Sequence, residues 1–113
     1  MIFANRVTAL VPGAPIRDMF GNEYPGKPTR VRLDAPVAMQ QRTSMEKEGG
    51  EWVHRVSSEC MLISAPGWHL REITAASSVE VDGWPGTYQV QGEPVHYEHP
   101  VKHSEIKLRK VEG

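Results

Sequence analysis

The stretch Arg30-Val31-Arg32-Leu33-Asp34-Ala35-Pro36-Val37 places apolar residues at the odd positions and polar Arg30, Arg32 and Asp34 between them. An apolar period of two is the side-chain alternation of a strand with one buried face. The same period recurs more weakly upstream, where Phe3, Val7, Ala9 and Val11 share one parity and Arg6 and Thr8 the other. Downstream, residues 52–64 form the longest candidate strand, with Trp52, Val56, Cys60 and Leu62 on one face. Met61 and Ile63 lie opposite, so the end of that strand is expected to be covered on both sides. Three further strands are expected. Residues 79–82 lead into Asp82-Gly83-Trp84-Pro85-Gly86, a strong turn signal. Residues 87–91 carry Tyr88 and Val90 in phase, and residues 104–111 point Ile106 and Leu108 inward with Lys107 and Arg109 outward.

Nine prolines and ten glycines are spread through all 113 residues, which disfavours long helices. One short helix is expected at most, over residues 70–77, and helices of that length are marginal without packing. About six short strands in one small domain, residues 1–113, imply an all-β fold. A small β-barrel, closed or nearly so, or a small sandwich would keep strand edges from inviting aggregation. Two segments read as long loops. Residues 14–29 are rich in Gly and Pro, and residues 39–51 are polar and flanked by strands. A loop of the latter length in so small a domain calls for a functional explanation.

Composition limits the function. With 39% hydrophobic and 24% charged residues the chain is that of a globular protein, and its net charge of -1 lacks the basic excess usual in nucleic-acid binders. The single cysteine, Cys60, forms no internal disulfide, and no stretch approaches the roughly 20 apolar residues of a membrane helix. Folding and action in the cytoplasm, or in something assembled there, are expected, with no membrane partner.

No catalytic constellation emerges. His96, His99 and His103 have the spacing H-x2-H-x3-H, but Pro94 and Pro100 break any helix that could gather them. They read as solvated loop histidines, and His54 and His69 have no evident partners. Cys60 reads as a small core residue, not a nucleophile. No nucleophile elbow, phosphate-binding loop or dinucleotide fingerprint occurs. The expectation is therefore no enzyme, no metal and no cofactor. A small barrel binding single-stranded nucleic acid is the alternative, using Arg30 and Arg32 with Lys102, Lys107, Arg109 and Lys110. Ordinary charged outer faces explain the same residues.

The C-terminal third carries a resemblance. Val81-Asp82-Gly83, then Tyr88-Gln89-Val90-Gln91-Gly92-Glu93-Pro94, Tyr97, Pro100 and finally Ile106-Lys107-Leu108-Arg109-Lys110-Val111-Glu112-Gly113 resemble the end of head-to-tail stopper proteins. These head completion proteins belong to the neck of long-tailed bacteriophages. Asp18-Met19-Phe20-Gly21 is similar to a D-x-aromatic-G turn in the same group. The resemblance implies a virion protein assembled in the host cytoplasm as a homo-oligomeric ring. Its partners would be portal or adaptor proteins above, a tail terminator or tail-tube protein below, and packaged DNA in the channel. It also implies a channel-plugging loop, which falls on Met39, Gln40, Gln41, Arg42, Thr43, Ser44, Met45, Glu46, Lys47, Glu48, Gly49 and Gly50. In that role the two glycines would be a hinge, Arg42 and Lys47 would reach phosphate, and Glu46 and Glu48 would repel it. Another tail component, such as a tail terminator, shares the composition. Within residues 14–29, Asp18, Phe20 and Tyr24 are candidates for partner binding, because loop aromatics anchor interfaces; folding of Phe20 and Tyr24 back over one end of the barrel is the equal alternative.

Overall fold

In the computed structural model the backbone is described for residues 1–48 and 51–112, and the side chains for residues 1–41 and 59–111. The chain is all-β. Its strands are β1 (Val7–Arg17), β2 (Glu23–Arg32), β3 (Val37–Glu48), β4 (Glu51–Ser64), β5 (Ser78–Val81), β6 (Trp84–Val90), β7 (Val95–Tyr97) and β8 (His103–Glu112). All ladders are antiparallel in one sheet of order β2-β1-β5-β6-β8-β4-β3, with β7 added beside β8.

The alternating stretch at residues 30–37 is not one straight strand. It is the corner of the fold. β2 ends at Arg32 after pairing with β1, and β3 begins at Val37 to pair with β4. Between them the chain follows the start of β1: the Leu33 N–H donates to the Val7 carbonyl at 3.0 Å, and Asn5 and Val37 exchange N–H to carbonyl bonds at 3.1 and 2.9 Å. Pro36 has no N–H to extend a ladder there, and its carbonyl instead accepts from the Ala65 N–H at 2.8 Å. The contact between the two flanks of the sheet is therefore a single bridge, and the sheet curls without closing into the expected barrel. Burial still follows the parity: Leu33, Ala35 and Val37 are buried.

The curl encloses one core. Val7 and Ala9 of β1, Cys60 and Leu62 of β4, Val79 and Val81 of β5, Tyr88 and Val90 of β6, and Ile106 and Leu108 of β8 meet inside. Leu70 and Ile73 close it from the segment expected to be helical. That segment is a pair of turns, with Ile73 N–H to the Leu70 carbonyl and Ser77 N–H to the Thr74 carbonyl. The apolar side chains fill the end of the core without the run of backbone bonds that would sustain a helix.

Both segments expected to be loops are mostly strand. Residues 14–17 and 23–29 belong to β1 and β2, and residues 39–48 and 51 to β3 and β4; the described residues form eight strands where about six were expected. Prolines hid the first hairpin. Pro12, Pro15, Pro25 and Pro28 fall where its pairing is irregular, with register shifts between Val11 and Gly13 and between Gly13 and Ile16. In the second hairpin residues 40–48 are polar apart from Met45, so no apolar period marks β3 beyond Met39 as strand; its register runs from Val37 opposite Ser64 to Glu48 opposite Glu51. A further unexpected strand, β7, lies between the prolines that argued for loop.

One run of chain, β2 and then β3, supplies a strand to each hairpin, so the hairpins leave the corner toward opposite ends of that run. The radius of gyration is 17.0 Å with a longest extent of 60 Å. A compact domain of this length would have a radius of about 13 Å.

Candidate functional site

The tip of the β1–β2 hairpin is built around one carboxylate. Asp18 Oδ1 accepts from the backbone N–H groups of Phe20 and Asn22, both at 2.9 Å. Its Oδ2 accepts from the Asn22 amide at 3.3 Å and from the Tyr24 hydroxyl at 3.1 Å. Backbone bonds from Asp18 N–H to the Asn22 carbonyl and from Gly21 N–H to the Asp18 carbonyl close the turn, with Gly21 at a φ of 83°. The Asn22 backbone N–H, followed by those of Phe20 and the Tyr24 hydroxyl, holds the Asp18 carboxyl below its usual value. A salt bridge of 2.7 Å between Arg17 and Glu23 braces the base.

All three residues expected to bind a partner thus meet in one turn, in different roles. Asp18 is the organiser, Tyr24 a brace, and Phe20 is presented outward together with Met19. Met19 and Phe20 are 89% and 81% exposed, which is far beyond what a lone surface apolar residue needs. Met19 was missed among the candidates; its signal was its place beside Phe20 in a short turn. The hairpin below the tip pairs only with itself, because β5 covers β1 only from Val7 to Leu10.

A second surface lies on the outer face of β8, β4 and β7. Met61 and Lys107 pair there as floor, and Tyr97 and Val95 form one wall. The chain breaks between β6 and β7 at Gln91, Gly92 and Glu93, which form the other wall of a hollow of about 340 Å³. The Tyr97 ring is fixed by stacking on His103, with centroids 4.8 Å apart and planes 11° apart. His103 is itself held by the Val101 carbonyl at 2.8 Å and by Glu105 at 3.0 Å, in that order of effect raising its pKa. A smaller hollow of about 160 Å³ adjoins it, sharing Gln91 and Lys107, with Cys60 in its lining. Burial pushes the Cys60 thiol up, against a smaller opposite pull from Lys110. The residue is buried in the core, as its strand position implied.

Of the three histidines expected to be solvated loop residues, His99 is one, exposed in a bend, and the other two are not. His96 and His103 lie on β7 and β8. His96 Nδ1 lies 2.6 Å from the Ser104 hydroxyl, which also accepts from the Leu70 N–H at 2.9 Å. Ser104 N–H in turn donates to the Ser64 hydroxyl at 2.7 Å. Burial, then the positive charge of Arg71 and His69, lowers the His96 pKa. His69, expected to lack a partner, bonds the Tyr97 carbonyl at 2.9 Å, and Glu98 lies 3.5 Å away. Among the described residues no three of His, Cys, Asp and Glu converge to hold a metal ion. His54 lies outside the described side chains.

The basic face formed by Arg30 and Arg32 is neutralised. Each reaches across β1 to an acid at β5: Arg30 takes Glu80, within the strand, with two bonds of 3.0 Å, and Arg32 takes Asp82, in the turn just after it, at 2.6 Å. These bonds lower the pKa of both carboxyls. Arg109 pairs with Glu59 at 3.1 Å.

Met39, Gln40 and Gln41, the first of the expected plug residues, lie in β3, with Met39 packed against the core and the two glutamines exposed. Arg42, Thr43, Ser44, Met45, Glu46, Lys47 and Glu48 continue β3, with their side chains outside the described residues, as are Gly49 and Gly50 altogether. No helix among the described residues is long and apolar enough to cross a membrane. No known protein family, curated protein or solved structure matches the chain.

Proposed function

We propose that this chain is a structural protein of a bacteriophage neck, a stopper that assembles as a ring under the portal and its adaptor. In that role it retains packaged DNA and offers the tail its docking surface, acting by binding and not by catalysis. The observation that carries this reading is the pair of long hairpins running far beyond a small core. A strand pair with nothing of its own chain to pack on is marginal in water and gains stability when neighbours cover it. In a ring each hairpin repeats with the symmetry, so contacts that are weak singly add up. The β3–β4 hairpin carries the segment on which the resemblance puts the channel plug, and its polar run Gln40-Gln41-Arg42-Thr43-Ser44 suits a wet channel and symmetry-related hydrogen bonds.

The pairing of Arg30 and Arg32 with acids counts against the nucleic-acid alternative, since a phosphate would have to displace Glu80 and Asp82. The deciding experiment is electron microscopy of lysates from a phage in which this gene is disabled. Separate tails beside emptied heads are expected. Joined, complete virions would overturn the reading. A shortened β3–β4 hairpin, with residues 41–58 replaced by a tight turn, is expected to keep the fold and lose DNA from the head.

A further inference from the structure

We propose that β7 and the two turns of residues 70–77 form an acid-sensitive latch over the end of the core, with the hydrogen bond between His96 and Ser104 as its catch. The latch is independent of the stopper reading and stands on its own observations. β7 is three residues long and pairs with β8 alone. A strand at the short end of the usual range holds weakly by its ladder, so its other ties carry weight. His96 meets Ser104 at 2.6 Å, the Tyr97 carbonyl meets His69 at 2.9 Å, and Glu98, just after β7, meets Arg71 at 3.4 Å.

The protons of this network run one way. The Ser104 hydroxyl accepts from the Leu70 N–H at 2.9 Å, and its own proton goes to His96 Nδ1. The Ser64 hydroxyl accepts from the Ser104 N–H and donates to the Trp68 carbonyl, both at 2.7 Å. A carbonyl can only accept, so His69 carries a proton on Nε2 toward Tyr97. The catch therefore needs His96 neutral. A proton added at Nδ1 turns that acceptor into a donor. Ser104, which is fully buried, then receives two hydrogens while its own loses its acceptor. Burial, then Arg71 and His69, already disfavour the cation there.

The other groups around His96 do not offset that charge. Arg71 and His69 face it from the turns, and Glu98, the carboxylate of the cluster, lies 3.4 and 3.5 Å from those two. On β8 it stands opposite Ser104, while His103 and Glu105 bond each other on the other face, beside Tyr97. β4 adds the uncharged Ser64. Losing the catch loosens more than β7. Leu70 and Ile73, which close the end of the core, lose the Ser104 anchor of the Leu70 N–H. Detachment of β7 also leaves β8 with an open edge at residues 103–105.

The test is amide exchange of the full chain followed by NMR, with rates corrected for the intrinsic effect of pH. As pH falls below the ordinary histidine value, protection of the Leu70 amide and of β7 is expected to drop by up to about tenfold per pH unit, as for an opening that takes up one proton. Val79 and Ile106 should keep theirs. His96→Asn, whose amide oxygen accepts from Ser104 but does not titrate, is expected to hold the latch shut over the same range. His69→Gln, which keeps a donor for the Tyr97 carbonyl, is expected to leave the response in place. Protection that does not change with pH, a parallel loss at Val79 and Ile106, or a response that survives His96→Asn would each overturn the latch. The phage microscopy bears on none of these outcomes, so the latch and the stopper reading fail separately.

Discussion

Gly13 and Gly26 face each other across the β1–β2 hairpin with no room for a side chain on either. A Cβ on Gly13 would be driven into the Lys27 carbonyl oxygen, and one on Gly26 into that of Ala14. Backbone atoms cannot swing aside as a side-chain end would. Gly26→Ala is therefore expected to unpair the outer hairpin by about 1–3 kcal/mol and leave the core, which lies beyond Val11, largely intact. Hydrogen exchange checks this. Amides of residues 14, 16, 17, 23 and 24 should exchange faster while those of β8 keep their protection, and uniform loss of protection would show that the hairpin and core unfold as one unit.

Asp18 makes the tip rigid only while ionised. Its pKa is lowered in the folded chain from the ordinary 3.8, mainly by the Asn22 backbone N–H. The sign follows: its contribution is present above the unfolded value and is lost as pH falls through the folded one. Exchange protection or chemical shifts of the Phe20 and Asn22 amides should report that loss in acid. Asp18→Ala should show the unlocked spectrum at neutral pH, and an unchanged spectrum would mean that the backbone bonds alone hold the turn.

Two histidines are expected to titrate in opposite directions from the ordinary 6.5. His96 is shifted down, first by burial, so it favours folding above the unfolded value, and that stability is lost as pH falls. His103 is shifted up, first by the Val101 carbonyl and then by Glu105. Its contribution is complete below the unfolded value and lost as pH rises through the folded one. Ring-proton titration by NMR should place His103 above His96. The reverse order would contradict the hydrogen bonding described for both.

Ser104 is fully buried and accepts from the Leu70 N–H while bonding His96. Ser104→Ala leaves that buried N–H without its acceptor, at a cost of about 1–3 kcal/mol. Urea unfolding measures it. A change within about 0.5 kcal/mol, the range of ordinary surface substitutions, would show that the site admits water.

The sequence by itself determined the all-β class, the buried parities of β1, β5, β6 and β8, and Cys60 as a core residue. Each follows from period-two alternation, which is local and forced wherever one face of a strand meets a core. It also marked Asp18, Phe20 and Tyr24, since a turn signal and aromatics are local too. Only the tertiary structure decided that Arg30 and Arg32 are matched by Glu80 and Asp82, because those partners lie 50 residues away and meet only once β1 stands between β2 and β5. It likewise decided the two hairpins and the corner. The outer part of β2 buries no continuous face and residues 40–48 carry no apolar period, so nothing local betrays either as strand, and their strand character comes from a partner strand that the sequence does not place. The hollow beside Tyr97 arises the same way: residues 61, 95, 97 and 107 become neighbours only when β8 takes β4 on one edge and β7 on the other.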